Sequence, residues 1–317
     1  MKTYKIGVDL GGTNIAVGVL DENHQIIGRG KIKTNAPRPA KEIAEDIVKA
    51  IFLAVEDAGI EKSQVASVGI GTPGTVNRQT GVIEYANNLQ FHQVPMVAML
   101  KEMFDVPYAI ENDANAAALG EALAGAGKGK KSFVAVTLGT GVGGGIIWDG
   151  EVISGCNGAG GELGHMVICV DGEPCNCGRD GCWEQYASAT ALVRQTKRAM
   201  KAHPDSAMWK LCDGKLENAG GRTAFDAMRL GDAAGTAVVE RYIYYVAVGT
   251  SNIVNALQPE MICFGGGISN EGETLLRPLR EIVENERYTK YCDQQTEICK
   301  ATLGNDAGII GAALLNA

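Results

Sequence analysis

Nowhere among its 317 residues does this chain hold an apolar run long enough to span a bilayer. The opening stretch from Met1 to Leu10 is short and interrupted by Asp9, so it lacks the form of a secretory signal. Positive charge is also in deficit: 29 Lys and Arg stand against 37 Asp and Glu, a net charge of −8. That balance argues against nucleic acid and anionic membrane surfaces as partners. The nine cysteines are an odd number, and six of them (Cys156, Cys169, Cys212, Cys263, Cys292, Cys299) are scattered. Scattered thiols without a secretory signal point to a reducing cytosol and to mostly buried, inert side chains. Hydrophobic residues at 45% supply a sizeable core and exclude general disorder, and the length is ample for two domains.

The other three cysteines are close together. The stretch Gly-Glu162-Leu-Gly-His165 is followed by Cys175-Asn-Cys177-Gly-Arg-Asp-Gly-Cys182-Trp-Glu184. Three thiolates and one imidazole, threaded through glycines in a polar loop, make a closed set of four soft ligands. Such a set prefers Zn²⁺ in a structural, tetrahedral site. Glu162 and Glu184 flank it, and a zinc knot would pin both carboxylates side by side, suited to accept hydrogen bonds from sugar hydroxyls. The competing view, three core cysteines and a stray histidine, fits the polar, Gly-rich surroundings poorly.

From the start, residues 4–9 read as a buried strand, followed by the turn Asp9-Leu-Gly11-Gly12-Thr13-Asn14 and a second strand over Ile15–Leu20. The turn offers backbone N–H groups and a hydroxyl to a phosphate, with Asp9 able to hold Mg²⁺ directly or through water. An ordinary hairpin needing glycines for positive φ is the equal alternative. A strand near Ile26–Ile32, a helix over 41–58 ended by Gly59, and a strand over Val65–Gly71 follow. The last leads into Thr72-Pro73-Gly74, and a loop then carries Asn87 and Asn88. A strand over Val106–Ile110 ends in Glu111-Asn112-Asp113-Ala114-Asn115, where a small-residue helix begins. Asp113 or Asn112 could be merely its N-cap. Alternatively Asp113 is a general base for a hydroxyl that attacks a phosphoryl group, the reading its neighbouring motifs favour.

After a Gly/Lys linker the beginning is echoed: Val134-Ala-Val-Thr137-Leu-Gly139-Thr140-Gly141 repeats Ile6-Gly-Val-Asp-Leu-Gly-Gly-Thr. Two related halves would each contribute a phosphate-gripping turn. Gly143–Gly145 make a poor strand unless a ligand approaches closely, and Asp149-Gly150 turns into Glu151–Ile153. Beyond the metal stretch, 186–202 reads as helix, 201–221 as irregular, 233–257 as a long helix and Glu260–Phe264 as a strand. Gly265-Gly266-Gly267 after it allows an adenine or ribose to lie against backbone, or is a bare turn. A helix over 273–286, a strand near 297–303 and a closing helix over 306–315, capped by Asp306, finish the chain.

The motifs Asp9-x-Gly-Gly-Thr, Glu-Asn112-Asp113-Ala-Asn, Leu-Gly-Thr-Gly-Val-Gly-Gly-Gly, Gly-Glu162-Leu-Gly-His165 and Cys-x-Cys-Gly-x-x-Gly-Cys-x-Glu184, in this order, resemble those of the ROK sugar kinases over essentially the whole chain. The likeness is greatest to bacterial ROK glucokinases. It implies an α/β fold of two actin-like, ribonuclease H-like domains with the active-site cleft between them. The domains would be 1–112 plus 305–317, and 113–304. It implies ATP with Mg²⁺, its phosphates at Asp9, Gly11, Gly12, Thr13, Gly139, Thr140 and Gly141 and its adenosine near Gly265, Gly266 and Gly267. Asp113 would activate the sugar 6-hydroxyl, while Gly74, Asn88, Asn112, Glu162, His165 and Glu184 contact the sugar, with either Asn87 or Asn88 as the facing asparagine. His165, with Cys175, Cys177 and Cys182, would also bind Zn²⁺ and so serve twice.

The expected reaction is ATP-dependent phosphorylation of glucose, with mannose, fructose, N-acetylglucosamine or N-acetylmannosamine as alternative acceptors. A sugar-sensing repressor is the reading from another class. ROK repressors carry a helix-turn-helix ahead of this body, and the first strand here starts too near Met1 to leave room for one. A homo-oligomer is expected, as is common for such chains, and the long apolar helices permit a dimer or tetramer, although no motif specifies the state.

Overall fold

The computed structural model describes residues 3–315. The chain opens with β1 (Tyr4–Leu10), β2 (Asn14–Leu20), β3 (Ile26–Lys33), α1 (Ala40–Asp57) and β4 (Val65–Thr72). Next come β5 (Thr75–Asn77), β6 (Val82–Ala86), β7 (Phe91–Val94), α2 (Met96–Met103), β8 (Tyr108–Asn112) and α3 (Asp113–Ala124). The later part holds β9 (Ser132–Leu138), β10 (Val142–Trp148), β11 (Glu151–Val152), α4 (Glu184–Ala187), α5 (Ala189–Ala202), α6 (Ala207–Leu211) and α7 (Thr223–Arg229). It closes with α8 (Ala233–Leu257), β12 (Met261–Gly265), α9 (Glu273–Glu286), β13 (Glu297–Lys300) and α10 (Ala307–Leu314).

The repeat seen in sequence is a repeat of topology. One five-stranded sheet runs β3-β2-β1-β4-β8 and the other β11-β10-β9-β12-β13. In the first, β1 pairs antiparallel with β2 and parallel with β4. In the second, β10 and β11 are antiparallel and β12 and β13 parallel. An antiparallel pair at one edge (β3-β2, β11-β10) and a parallel pair at the other (β4-β8, β12-β13) thus occur in both sheets, in the same order.

Packing divides the chain into two compact units: Met1–Ala135 with Gly145–Gly161 and Ala301–Ala317, and Val136–Gly144 with Glu162–Lys300. In the first, α1 lays Ile43, Ile47, Ile51 and Val55 on the sheet, a stripe at helical spacing. The opposite face is covered by α10 and α3, packed so closely that only glycine fits. A Cβ on Gly7 would stand 1.8 Å from the Ile309 carbonyl oxygen, and one on Gly311 1.6 Å from that of Ala116. In the second unit the 25-residue α8 is the central helix, capped by Asp232 and packed by α4, α5, α7 and α9. Among the described residues no helix is long and apolar enough to cross a membrane.

Some expectations are corrected. The polar stretch 201–221 holds α6 and a 3-10 turn over Leu216–Asn218. The helix expected from 186 breaks at Ser188, whose hydroxyl caps Ala191 N–H. Asp306 makes no side-chain cap; Arg29 holds both its oxygens at 2.8 Å, a pairing distant in sequence that outcompetes the local one. The glycine at 145 answers to the protein, since a Cβ there would lie 2.4 Å from Ala118 Cβ.

Candidate active site and metal centre

In the first unit β1 delivers Asp9 to the head of its turn. Gly11 N–H donates to Asn14 O at 2.9 Å, and the Thr34 hydroxyl donates to Gly11 O at 2.6 Å, so the turn is braced from a neighbouring strand end. A Cβ on Gly12 would meet Asn88 Cβ at 3.4 Å, which places Asn88 beside the turn. Asn87 is engaged otherwise, its side-chain oxygen accepting from Tyr85 OH at 3.3 Å.

At the end of β8 the roles of Asn112 and Asp113 separate. Asn112 is the N-cap, its Oδ1 accepting from Ala114 N (2.9 Å) and Asn115 N (3.3 Å). Its Nδ2 donates to Gly74 O at 3.0 Å. Asp113 is then the first helical residue, with one oxygen on Ala114 N at 2.8 Å and its side chain open to solvent. Dense protein on its other side raises the Asp113 carboxyl above the usual range, against the lowering effect of the helix amides. Asp9 is pushed up to about 6, by burial first and then by the charge of Asp113. Two carboxylates that resist ionising together make a place where a hard cation such as Mg²⁺ is favoured.

In the second unit the β9–β10 turn is tight: Gly139 N–H donates to Gly141 O at 3.0 Å, and Gly139 O accepts from Ala189 N at 2.8 Å. A Cβ on Gly141 would lie 2.6 Å from Glu184 Oε2, so Glu184 overlies this turn. After β12, Gly266 takes φ +82° with a virtual Cβ 2.5 Å from Leu138 O, whereas nothing lies near one on Gly267. The middle glycine is thus required by the fold itself, and the third leaves open backbone.

The four candidate ligands come together in the same unit. One donor atom from each of His165, Cys175, Cys177 and Cys182 lies within 4.8 Å of all the others. Cys175 Sγ is 3.7 Å from His165 Nδ1, and Cys177 Sγ 3.6 Å from Cys182 Sγ. Ligands about 2.3 Å from a tetrahedral zinc stand about 3.8 Å apart, so the cluster fits Zn²⁺. Burial, and then its two thiol neighbours, push Cys182 up to about 12, a crowding that a dication relieves. The knot reaches both flanking acids. His165 Nε2 faces Glu162 Oε2 at 3.9 Å, and Cys175 Sγ donates to Glu184 Oε1 at 3.2 Å. Trp183, fully buried between Cys182 and Glu184, anchors the segment by donating to Tyr245 O at 2.8 Å.

The sequence reading missed two supports. Glu173 opens the cysteine loop, takes an ion pair from Arg198 on α5, and donates its N–H to Tyr186 OH at 2.7 Å. Glu111 lies beneath Asn112, fully buried against Arg78. Its signal was a charged residue ending an otherwise apolar strand.

Two actin-like α/β units of repeated topology, carrying glycine turns, a carboxylate pair and a Cys₃His knot, define the class of the two-domain sugar kinases of the actin-like ATPase fold. The sequence profile of the ROK family matches residues 5–317. The chain belongs to the ROK family. It is 38% identical to a glucokinase of Halalkalibacterium halodurans over 98% of this chain and 94% of that one. It is also 38% identical to a glucokinase of Thermotoga maritima, over 98% and 96%. Among solved structures it is similar to a ROK family glucokinase from Streptomyces griseus in complex with glucose and AMPPNP: TM-score 0.80, 36% identity, 98% of each chain covered.

Proposed function

We propose that this protein is an ATP-dependent glucokinase that converts glucose to glucose 6-phosphate. The observation that carries the reading is full-length likeness to glucokinases at 38% identity in a chain that keeps every motif residue. Asp113 accepts the proton of the 6-hydroxyl as that oxygen bonds to the γ-phosphorus and the bond to the β-phosphate oxygen breaks, releasing ADP. Its raised carboxyl pKa makes it a better base than an ordinary aspartate. Gly74, Asn88, Asn112, Glu162, His165 and Glu184 hold the sugar. Of the two asparagines, Asn88 is favoured, since Asn87 is occupied by Tyr85. Asn112 spends its oxygen on the helix and one amide hydrogen on Gly74, so it offers the sugar its second amide hydrogen.

The turns at Gly11–Thr13 and Gly139–Gly141 cradle phosphates through backbone N–H groups, with adenosine near Gly265–Gly267. Mg²⁺, held by Asp9 directly or through water, supplies neutralisation of phosphate charge. Zn²⁺ is structural, held by His165, Cys175, Cys177 and Cys182, and takes no part in the transfer. His165 has a ring nitrogen for each task, which supports its double service. Nine cysteines outside disulfides support a cytoplasmic setting, the exposed Leu230, Tyr244, Tyr288 and Tyr291 support a homo-oligomer, and the net charge of −8 supports the absence of a nucleic-acid partner. The test is a coupled assay with Mg-ATP against a panel of hexoses and N-acetylhexosamines. Glucose is expected to give the highest kcat/KM, and a higher value for any other sugar overturns the assignment.

A further inference from the structure

Glu111 is the one carboxylate beside the candidate base that is wholly withdrawn from solvent, with its side chain 0% exposed. Its own carboxylate is out of reach of a substrate, yet it holds both sides of Asp113. Its Oε1 accepts from the backbone N–H of Asn112 at 2.8 Å and from Asn115 Nδ2 at 3.1 Å. Asn112 in turn fixes Ala114 N–H and the Gly74 carbonyl. The residue before the base and the residue two after it therefore hang on one buried oxygen. The other oxygen has Arg78 Nε at 3.2 Å, an ion pair without an aligned hydrogen bond. Arg78 follows β5, in the three-stranded sheet β5-β6-β7 that leads on to Asn87 and Asn88. Its guanidinium also reaches Ser154 Oγ at 3.4 Å.

A buried carboxylate is retained at a cost unless its charge is paired and its lone pairs are filled. Two hydrogen bonds fill Oε1 and the Arg78 ion pair offsets the charge at Oε2, which is left without an aligned donor; these partners lie in the segments that hold Gly74, Asn112 and Asp113. We infer that the buried Glu111, with the partly exposed Arg78, forms a latch that positions Asp113 and binds the Gly74 and Asn87–Asn88 segments to the strand end bearing the base. Neither residue is catalytic, since neither touches a reacting atom. The latch acts on transfer through the aim of Asp113, where a misplacement of about 1 Å costs about a hundredfold in rate.

This inference rests on the glucokinase reading, and the experiment keeps the two apart. Wild type, Glu111→Gln, Arg78→Met, the double variant and Arg78→Lys are compared for kcat with saturating glucose and Mg-ATP, glucose Kd by calorimetry, and zinc content. Glu111→Gln and Arg78→Met are expected to lose about ten- to a hundredfold in kcat, with glucose Kd within about threefold and zinc retained. A latch that acts as a unit makes the double variant's loss at least about tenfold smaller than the product of the single losses. Arg78→Lys keeps the charge and is expected to recover most of the lost kcat. Normal kcat in either single variant overturns the latch, as do single losses that simply multiply. So does a loss seen equally in glucose Kd, which marks general loosening. If Glu111→Gln fails to fold, Arg78→Met and Arg78→Lys decide by the same criteria. Wild type inert on glucose overturns the functional reading instead.

Discussion

Asp113 and Asp9 show how far one residue's neighbours decide its chemistry. Both lie at strand ends beside glycine- or asparagine-rich turns, and Asp113 could have been a helix cap. The cap at the second site is Asn112, which leaves the Asp113 carboxylate one oxygen uncommitted and facing solvent. Asp113→Asn, nearly isosteric, should lower kcat by about 10²- to 10⁴-fold while glucose binding measured by calorimetry survives; near-normal turnover would count against the base. Asp9, raised to about 6, carries opposite signs for stability and for function. Its folded pKa exceeds the unfolded value of 3.8. The stability it contributes is therefore full at pH below the unfolded value and lost as pH rises through about 6. Magnesium needs the ionised form, so affinity for Mg-ATP should weaken as pH falls below about 6. Asp9→Asn should raise the melting temperature of the ligand-free protein at pH 7, by about 1–3 kcal/mol of stability, and remove the pH dependence of Mg-ATP affinity. A variant no more stable than wild type would contradict the cost of that charge.

At the scale of elements, the cysteine loop is the clearest case of a segment built by its ligands. It has two isolated bridges, Val167 to Cys182 and Pro174 to Asp180, and little other regular structure. Replacing Cys177 with Ser should release zinc and weaken glucose binding, because Glu162 and Glu184 lie close to ligands of the cluster in sequence and in space. Metal analysis with a glucose titration checks this, and unchanged affinity in zinc-free protein would refute it. The anchor behind the loop is tested separately. A Cβ on Gly249 of α8 would stand 2.1 Å from the Trp183 ring, next to Glu184. Gly249→Ala should cost about 1–3 kcal/mol in unfolding free energy and weaken glucose binding while zinc stays bound. The break at Ser188 belongs here too. Periodicity ran one helix through it, but α4 closes the metal loop and α5 starts afresh on a serine cap, a distinction that spacing of apolar residues cannot carry.

For the molecule as a whole, the first unit depends on its last helix. Because α10 meets β1 and α3 through backbone at Gly7 and Gly311, adding one methyl at Gly311 has nowhere to go. Gly311→Ala should destabilise by about 3 kcal/mol or more, read as a fall in melting temperature; an unchanged melting curve would show that the helix can shift. The internal echo of Ile6–Thr13 in Val134–Gly141 was legible because strand and turn chemistry is local, and it correctly announced two sheets of one topology. The candidate metal cluster was legible because its four residues are near in sequence and drawn from few residue types. The small sheet β5-β6-β7 escaped notice because its strands are short and weakly alternating.

By itself, then, the sequence determined the repeated architecture, the family, a Cys₃His cluster able to hold a metal and the candidates for base and phosphate turns, all of them matters of local spacing and residue chemistry. Only the tertiary structure decided that Asn112 rather than Asp113 caps α3, that Asp306 serves Arg29, that Gly145 answers to Ala118, and that Glu111 is buried beside Asp113 and paired with Arg78. Each of these is a competition between a neighbour in the chain and a partner far along it, and the outcome depends on distances and desolvation that exist only once the chain has packed.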